Sequence, residues 1–159
     1  MKFLFDEMLK RLSHWCRIFG IYSEFIEGKS DDELLEYAKK NKLVFVTRDV
    51  PLSKKCQRKG LRCIFIESGK LEEQLVQLLE ETRVETTFPE AMRCAVCNGE
   101  LEDVKKEKVK EKIPEDVYEE DKELWQCRGC GKVYWKGGHW DNITRIYENV
   151  SKRLQGKAI

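Results

Sequence analysis

The sequence predicts an α/β fold, a parallel β-sheet flanked by helices and followed by a small cysteine-bearing module. Three observations predict it. Residues 1–83 alternate short apolar runs with helical patterns, and parallel strands need crossover connections that helices supply. After residue 83 this periodicity stops, and four of the seven cysteines fall into two C-x-x-C pairs, Cys94/Cys97 and Cys127/Cys130. At 159 residues the chain is long enough for one sizeable domain and one small one, and too short for two large ones.

The strands and helices follow in order. Lys2–Phe5, Tyr22–Ile26, Leu43–Val46 and Arg62–Ile66 are short apolar runs with β-branched or aromatic residues, and each reads as a strand. Between the first two, Met8, Leu9, Leu12, Trp15, Cys16 and Phe19 recur at helical spacing, with Gly20 at the position of a C-terminal cap, which assigns Cys16 to the core. Ser30 followed three residues later by Glu33 is a capping box, and Leu34, Leu35 and Ala38 are the buried stripe of the helix it starts. Pro51 marks the start of a short helix that ends before Gly60, and Leu71, Leu75, Leu78 and Leu79 turn inward on another that reaches Arg83. Residues 86–89 read as a linker. A closing helix is predicted over 141–154, where Ile143, Ile146, Tyr147, Val150 and Leu154 share a face that should pack on one of the modules.

Composition excludes several classes. Hydrophobic residues at 41% and a near balance of 30 Lys+Arg against 29 Asp+Glu describe a soluble globular chain rather than a disordered polyion. No apolar run approaches the roughly 18 residues of a membrane span, and Met1–Phe5 followed by Asp6 lacks the pattern of a signal peptide, so a cytoplasmic location and no membrane partner are expected. An odd cysteine count without an export signal fits reduced thiols or a metal better than a disulfide framework.

Two C-x-x-C turns can offer four thiolates to one tetrahedral Zn²⁺, and each pair runs into a glycine, Gly99 and Gly131, that lets the backbone fold tightly around the metal. Four cysteines fill the shell, so the zinc of Cys94, Cys97, Cys127 and Cys130 is structural. His139, in Gly137-Gly138-His139-Trp140-Asp141, reads as a helix start rather than a ligand. Residues 100–123 are almost entirely charged and read as a solvated ribbon or loop with no core of its own. Trp125, Tyr134, Trp135 and Trp140 gather around the second pair, either as the core of a small ribbon or as a surface on which bases stack.

In open α/β sheets ligands collect at the carboxyl ends of the strands. Asp6 follows the first strand directly, Asp49 follows the third after Thr47-Arg48, and Asp31 and Asp32 open at the same edge. Carboxylates converging there repel unless a cation is present, which makes the cluster a candidate site for Mg²⁺ or Mn²⁺. The plainer readings are a favourable helix N-terminus for Asp31 and Asp32 and an ordinary cap for Asp49; Asp6 has no obvious capping task. From Lys39 to Arg62 there are nine Lys or Arg and one acid, Asp49, a basic strip suited to a phosphate backbone or else a solvated helix face.

Several motifs together resemble the mut-seven C-terminal ribonuclease domain family: Phe3-Leu4-Phe5-Asp6-Glu7-Met8-Leu9 with Leu12, Trp15 and Arg17; Asp31-Asp32-Glu33-Leu34-Leu35; Thr47-Arg48-Asp49; Arg93-Cys94-x-x-Cys97-Asn98-Gly99; and Cys127-x-x-Cys130-Gly131 through Val133-Tyr134-Trp135, Gly137 and His139-Trp140. They occur in one order across nearly the whole chain. The resemblance implies a PIN-like nuclease domain over 1–88 and a zinc ribbon with a charged insertion and C-terminal helix over 89–159. It implies that Asp6, Asp31 and Asp49 are the catalytic, metal-binding acids, with Asp32 a neighbour in the Mg²⁺ or Mn²⁺ set. Ser13-His14 departs from the family pattern, which has Ala-Arg there, while Arg11 and Arg17 remain. No fourth acid of the kind many PIN nucleases carry stands out, which leaves one or two metals open.

The reading is therefore a metal-dependent ribonuclease hydrolysing RNA, with ribosomal or transfer RNA as candidate substrates, and with Arg11, Arg17, Arg48, Lys54 and Lys55 holding the chain. A catalytically inactive zinc-ribbon protein that binds RNA or associates with the ribosome is the first alternative. A receiver-like phosphoacceptor domain is the second. A haloacid-type phosphatase is disfavoured, because Met8 stands where its D-x-D motif needs a second Asp.

Overall fold

The computed structural model describes residues 1–157, so the last two positions of the 89–159 unit lie outside the described residues. Its first half is a four-stranded, fully parallel sheet in the order β2-β1-β3-β4. The strands are β1 (Phe3–Phe5), β2 (Ser23–Phe25), β3 (Val44–Thr47) and β4 (Cys63–Phe65). Each lies within or one residue beyond the run that predicts it.

Side chains alternate across this sheet, and the alternation divides the core in two. Phe3, Phe5, Val44 and Val46 face one layer with α1 (Lys10–Ile18) and α4 (Leu71–Thr82), which bring Leu12, Cys16, Leu75 and Leu78. Leu4 and Phe45 face the other, with Leu34, Leu35 and Ala38 of α2 (Asp31–Lys40) and Leu52 and Cys56 of α3 (Val50–Arg58). Fully buried strands of this kind read as continuous apolar runs. Ser30 caps α2 by accepting the Glu33 N–H at 3.2 Å. Gly20 ends the first helix with φ +87°, and a Cβ there would stand 1.8 Å from Thr87 Oγ1, so only glycine lets the linker lie against this turn.

The second unit is an antiparallel sheet of β5 (Leu101–Asp103), β6 (Leu124–Cys127) and β7 (Val133–Trp135). The charged stretch before β6 does have a core, contrary to the reading of a coreless loop. Two 3₁₀ turns and α5 (Glu115–Glu119) place Val109, Ile113 and Val117 against Leu124 and Val133. Every fourth residue is an apolar anchor, and the charges between them stay in water. The last helix, α6 (His139–Lys157), begins at His139 and lays Ile146 and Val150 into the first unit's core beside Phe88, packed against α4. No described helix is long and apolar enough to cross a membrane.

Candidate functional site

The strand order reverses direction between β1 and β3, so the crevice beyond their carboxyl ends is the switch point at which ligands bind in doubly wound sheets. Asp6 and Asp49 stand there. Asp6 is buried, 5% exposed, with its N–H on the Val46 carbonyl at 3.0 Å. Its Oδ1 accepts the Met8 N–H at 2.9 Å and so caps the 3₁₀ turn Glu7–Leu9, contrary to the reading that Asp6 has no capping task, and its Oδ2 accepts the Thr47 hydroxyl. Thr47 Oγ1 accepts in turn from the Asp49 N–H at 2.9 Å, so one side chain fixes both acids. Asp49 caps α3 through Oδ1, which accepts the Leu52 N–H at 2.9 Å, and Oδ2 is left without a partner among the described residues. Burial raises the Asp6 carboxyl above its ordinary range; the hydrogen bonds from Thr47 and Met8 oppose this, and the neighbouring Asp49 charge adds to it.

The remaining acids are arranged differently. Asp31 opens α2, exposed, after the edge strand next to β1. Asp32 points to α3 instead, with Lys55 Nζ at 2.6 Å and Lys59 Nζ at 3.3 Å from its Oδ1. These two lysines hold its carboxyl below the usual range. Asp32 and Lys55 are thus paired with each other at the surface.

Arg17 is engaged as well. It is 5% exposed, and its guanidinium donates to the carbonyls of Ser23 at 2.8 Å and Ala95 at 2.6 Å. It clamps the first cysteine turn onto β2. Asn98 Oδ1 accepts the Ser23 N–H at 3.1 Å in the same clamp, covering an amide of the edge strand. Arg48 donates to the Glu67 carbonyl at 3.3 Å, and its Nε is buried without a partner among the described residues. Arg11 and Lys54 are exposed on α1 and α3. The clamp and the Thr47 bridge escaped sequence reasoning, although Thr47 and Asn98 both lie inside its motifs.

The four predicted zinc ligands do meet. The Sγ atoms of Cys94, Cys97, Cys127 and Cys130 lie within 4.8 Å of one another, and among the described residues no other group of three or more His, Cys, Asp or Glu does so. A tetrahedral Zn²⁺ with Zn–S near 2.3 Å sets S···S edges of about 3.8 Å. The Cys94–Cys130 separation is 3.7 Å and Cys97–Cys127 is 3.3 Å. Space for the metal is kept by glycine: a Cβ on Gly99 would lie 2.7 Å from Cys127 Sγ. The N–H groups of Gly129 and Cys130 aim at that sulfur at 3.3 and 3.4 Å. Tyr134 Oη sits 3.0 Å from Cys94 Sγ. Burial works against ionising Cys94, but this hydroxyl and nearby backbone N–H groups outweigh it and bring the thiol to about 7. All four ligand positions are thiols, so the donor set fits a closed, structural Zn²⁺ site.

Fold and site together define an α/β parallel-sheet domain with a carboxylate pair at its switch point and a four-cysteine cluster able to hold a metal. The family model of the Mut7-C RNAse domain matches residues 1–147, and the chain belongs to that family. No curated protein and no solved structure matches it. Membership carries a nuclease-type function and RNA as the substrate class.

Proposed function

We propose that the chain is a metal-dependent ribonuclease in which Asp6 and Asp49 hold a Mg²⁺ or Mn²⁺ ion at the β1/β3 switch point. The observation that supports this most is the buried Asp6 carboxyl, set beside Asp49 by Thr47. The donors are all carboxylate oxygens, the hard ligands these ions select. Mg²⁺ keeps several waters and needs only one or two carboxylates plus substrate phosphate, so a tight cage of three acids is not required. Asp31 opens α2 beyond the neighbouring edge strand and forms no group of three with Asp6 and Asp49 among the described residues, so its part would be taken through water or substrate.

Bound there, the ion would lower the pKa of a water and polarise the scissile phosphoryl group. The chain's own residues do the rest. Thr47 orients the Asp6 carboxylate and ties down the Asp49 backbone N–H, the Met8 N–H holds the second oxygen of Asp6, and the Leu52 N–H holds the Asp49 carboxylate. Arg11, Arg48 and Lys54 bear on the phosphate backbone and carry no base information. Zinc holds the second unit and breaks no bond.

The discriminating experiment adds Mn²⁺ to the zinc-loaded chain with end-labelled RNA. Cleavage that appears with Mn²⁺ or Mg²⁺ and is absent without them is the expected result. Tight RNA binding with no product in either metal would instead support the inactive, RNA-binding alternative.

A further inference from the structure

A groove of 540 Å³ runs between α1 and the cysteine unit, and neither Asp6 nor Asp49 lines it. All four tryptophans of the chain, Trp15, Trp125, Trp135 and Trp140, line it. Its charged residues are Arg11, Arg93 and Lys132, and no Asp or Glu lines it among the described residues, in a chain whose charges otherwise nearly balance. Concentrated aromatic surface with positive charge and no acid complements a polyanion that carries flat rings.

The aromatic residues are not all committed to packing. Phe88 is buried, Trp140 rests on it with ring centroids 5.3 Å apart, and Trp125 stacks on Trp140 at 5.4 Å and 11°. Trp15 and Trp140 pack on the first unit's core and Trp135 on the second's, whereas Trp125 joins none of the three core clusters. Trp125 is thus the outer rung of a ladder rooted in the core. Trp125 is half-buried and lines the groove, and a base can continue the stack. Arg11 lies in the first turn of α1, five residues after Asp6, and lines the groove.

We infer that this groove binds unpaired nucleotides of single-stranded RNA, stacking a base on Trp125 while Arg11 and Lys132 meet the flanking phosphates. The inference rests on RNA being the substrate and narrows it to single-stranded segments, since a duplex offers no unstacked base to such a ladder.

The test uses the zinc-loaded full chain carrying Asp6→Asn, so that bound RNA stays intact, and titrates labelled single strands of about ten nucleotides, a length within the usual range of such sites. Tryptophan emission should be quenched, and a blunt duplex or an abasic strand of equal length should bind at least about 10-fold more weakly. Trp125→Leu should weaken single-strand binding about 10-fold with zinc content and far-UV circular dichroism unchanged. Lys132→Ala, an exposed change, should weaken it and flatten its salt dependence. Equal binding of duplex or abasic strand, or parental affinity in both variants, would overturn the inference. Cleavage by the parent without quenching removes the groove and keeps the nuclease; quenching without cleavage does the reverse.

Discussion

Asp6→Asn is expected to lower RNA cleavage at least about 100-fold, beyond the 10- to 100-fold typical of losing an outer-shell partner of a metal ligand. The same variant should melt no lower than the parent near neutral pH in buffer that retains zinc but lacks Mg²⁺ and Mn²⁺. The sign follows from the raised carboxyl. Burial, then the Asp49 charge, lifts Asp6 in the folded protein, while Thr47 and Met8 pull the other way without prevailing. A carboxyl that holds its proton more tightly when folded stabilises the fold at acid pH. That contribution is present below the unfolded value of 3.8 and is lost as pH rises through the raised folded value. Asparagine keeps an oxygen for the Thr47 hydroxyl and removes the charge, so melting between pH 4 and pH 8 should decline less steeply in the variant. Added Mn²⁺ should raise the melting temperature of the parent and not that of Asp6→Asn. An active Asp6→Asn enzyme would contradict the assignment outright.

Removing zinc is expected to be the largest change in stability. Structural Zn²⁺ contributes about 10–16 kcal/mol of binding free energy in small modules, comparable with the whole stability of a domain, about 5–15 kcal/mol. The second unit has a small core of Val109, Ile113, Val117, Leu124 and Val133, so the metal has much to hold. Cys97→Ser, or a chelator strong enough to strip the site, should release one zinc per chain, shift tryptophan emission to longer wavelength as the groove opens, and abolish the upper melting transition. The effect should reach the first unit, because Arg17 and Asn98 join the first cysteine turn to β2. Cys16→Ala, in the first core and outside the thiol cluster, should leave the zinc content at one per chain. A Cys97→Ser protein with parental melting and emission would show that the four thiols do not hold the module together.

The fold was legible wherever burial dominates. Parallel strands buried on both faces need unbroken apolar runs, and Leu43–Val46 or Lys2–Phe5 cannot be placed otherwise. The cysteine spacing was legible because tetrahedral thiolate chemistry leaves few alternatives. Side-chain direction was not. Asp32 and Asp31 are neighbours on one helix, yet a residue step of about 100° turns Asp32 toward Lys55 and Lys59. Arg17 sat in a motif with other basic residues, and nothing local announced that carbonyls 78 residues away would consume it. The insertion was misread because its charges outnumber its anchors, although Val109, Ile113 and Val117 keep a spacing of four that a stricter search for helical turns would have found. Long-range partners decide such cases, and composition does not contain them.

The acid pair itself lies between these extremes. Topology places Asp6 and Asp49 at one edge once the strands are known, but the hydroxyl of Thr47 that fixes both belongs to a residue whose strand propensity alone accounts for its presence.

The most direct test is a Mn²⁺ titration of the zinc-loaded chain, followed by electron paramagnetic resonance of the free ion, for the parent and for the double variant Asp6→Asn with Asp49→Asn. Saturable uptake by the parent that the double variant loses, with zinc content and circular dichroism unchanged in both, is the predicted result. Equal Mn²⁺ uptake by the two proteins would contradict the carboxylate site and the mechanism built on it.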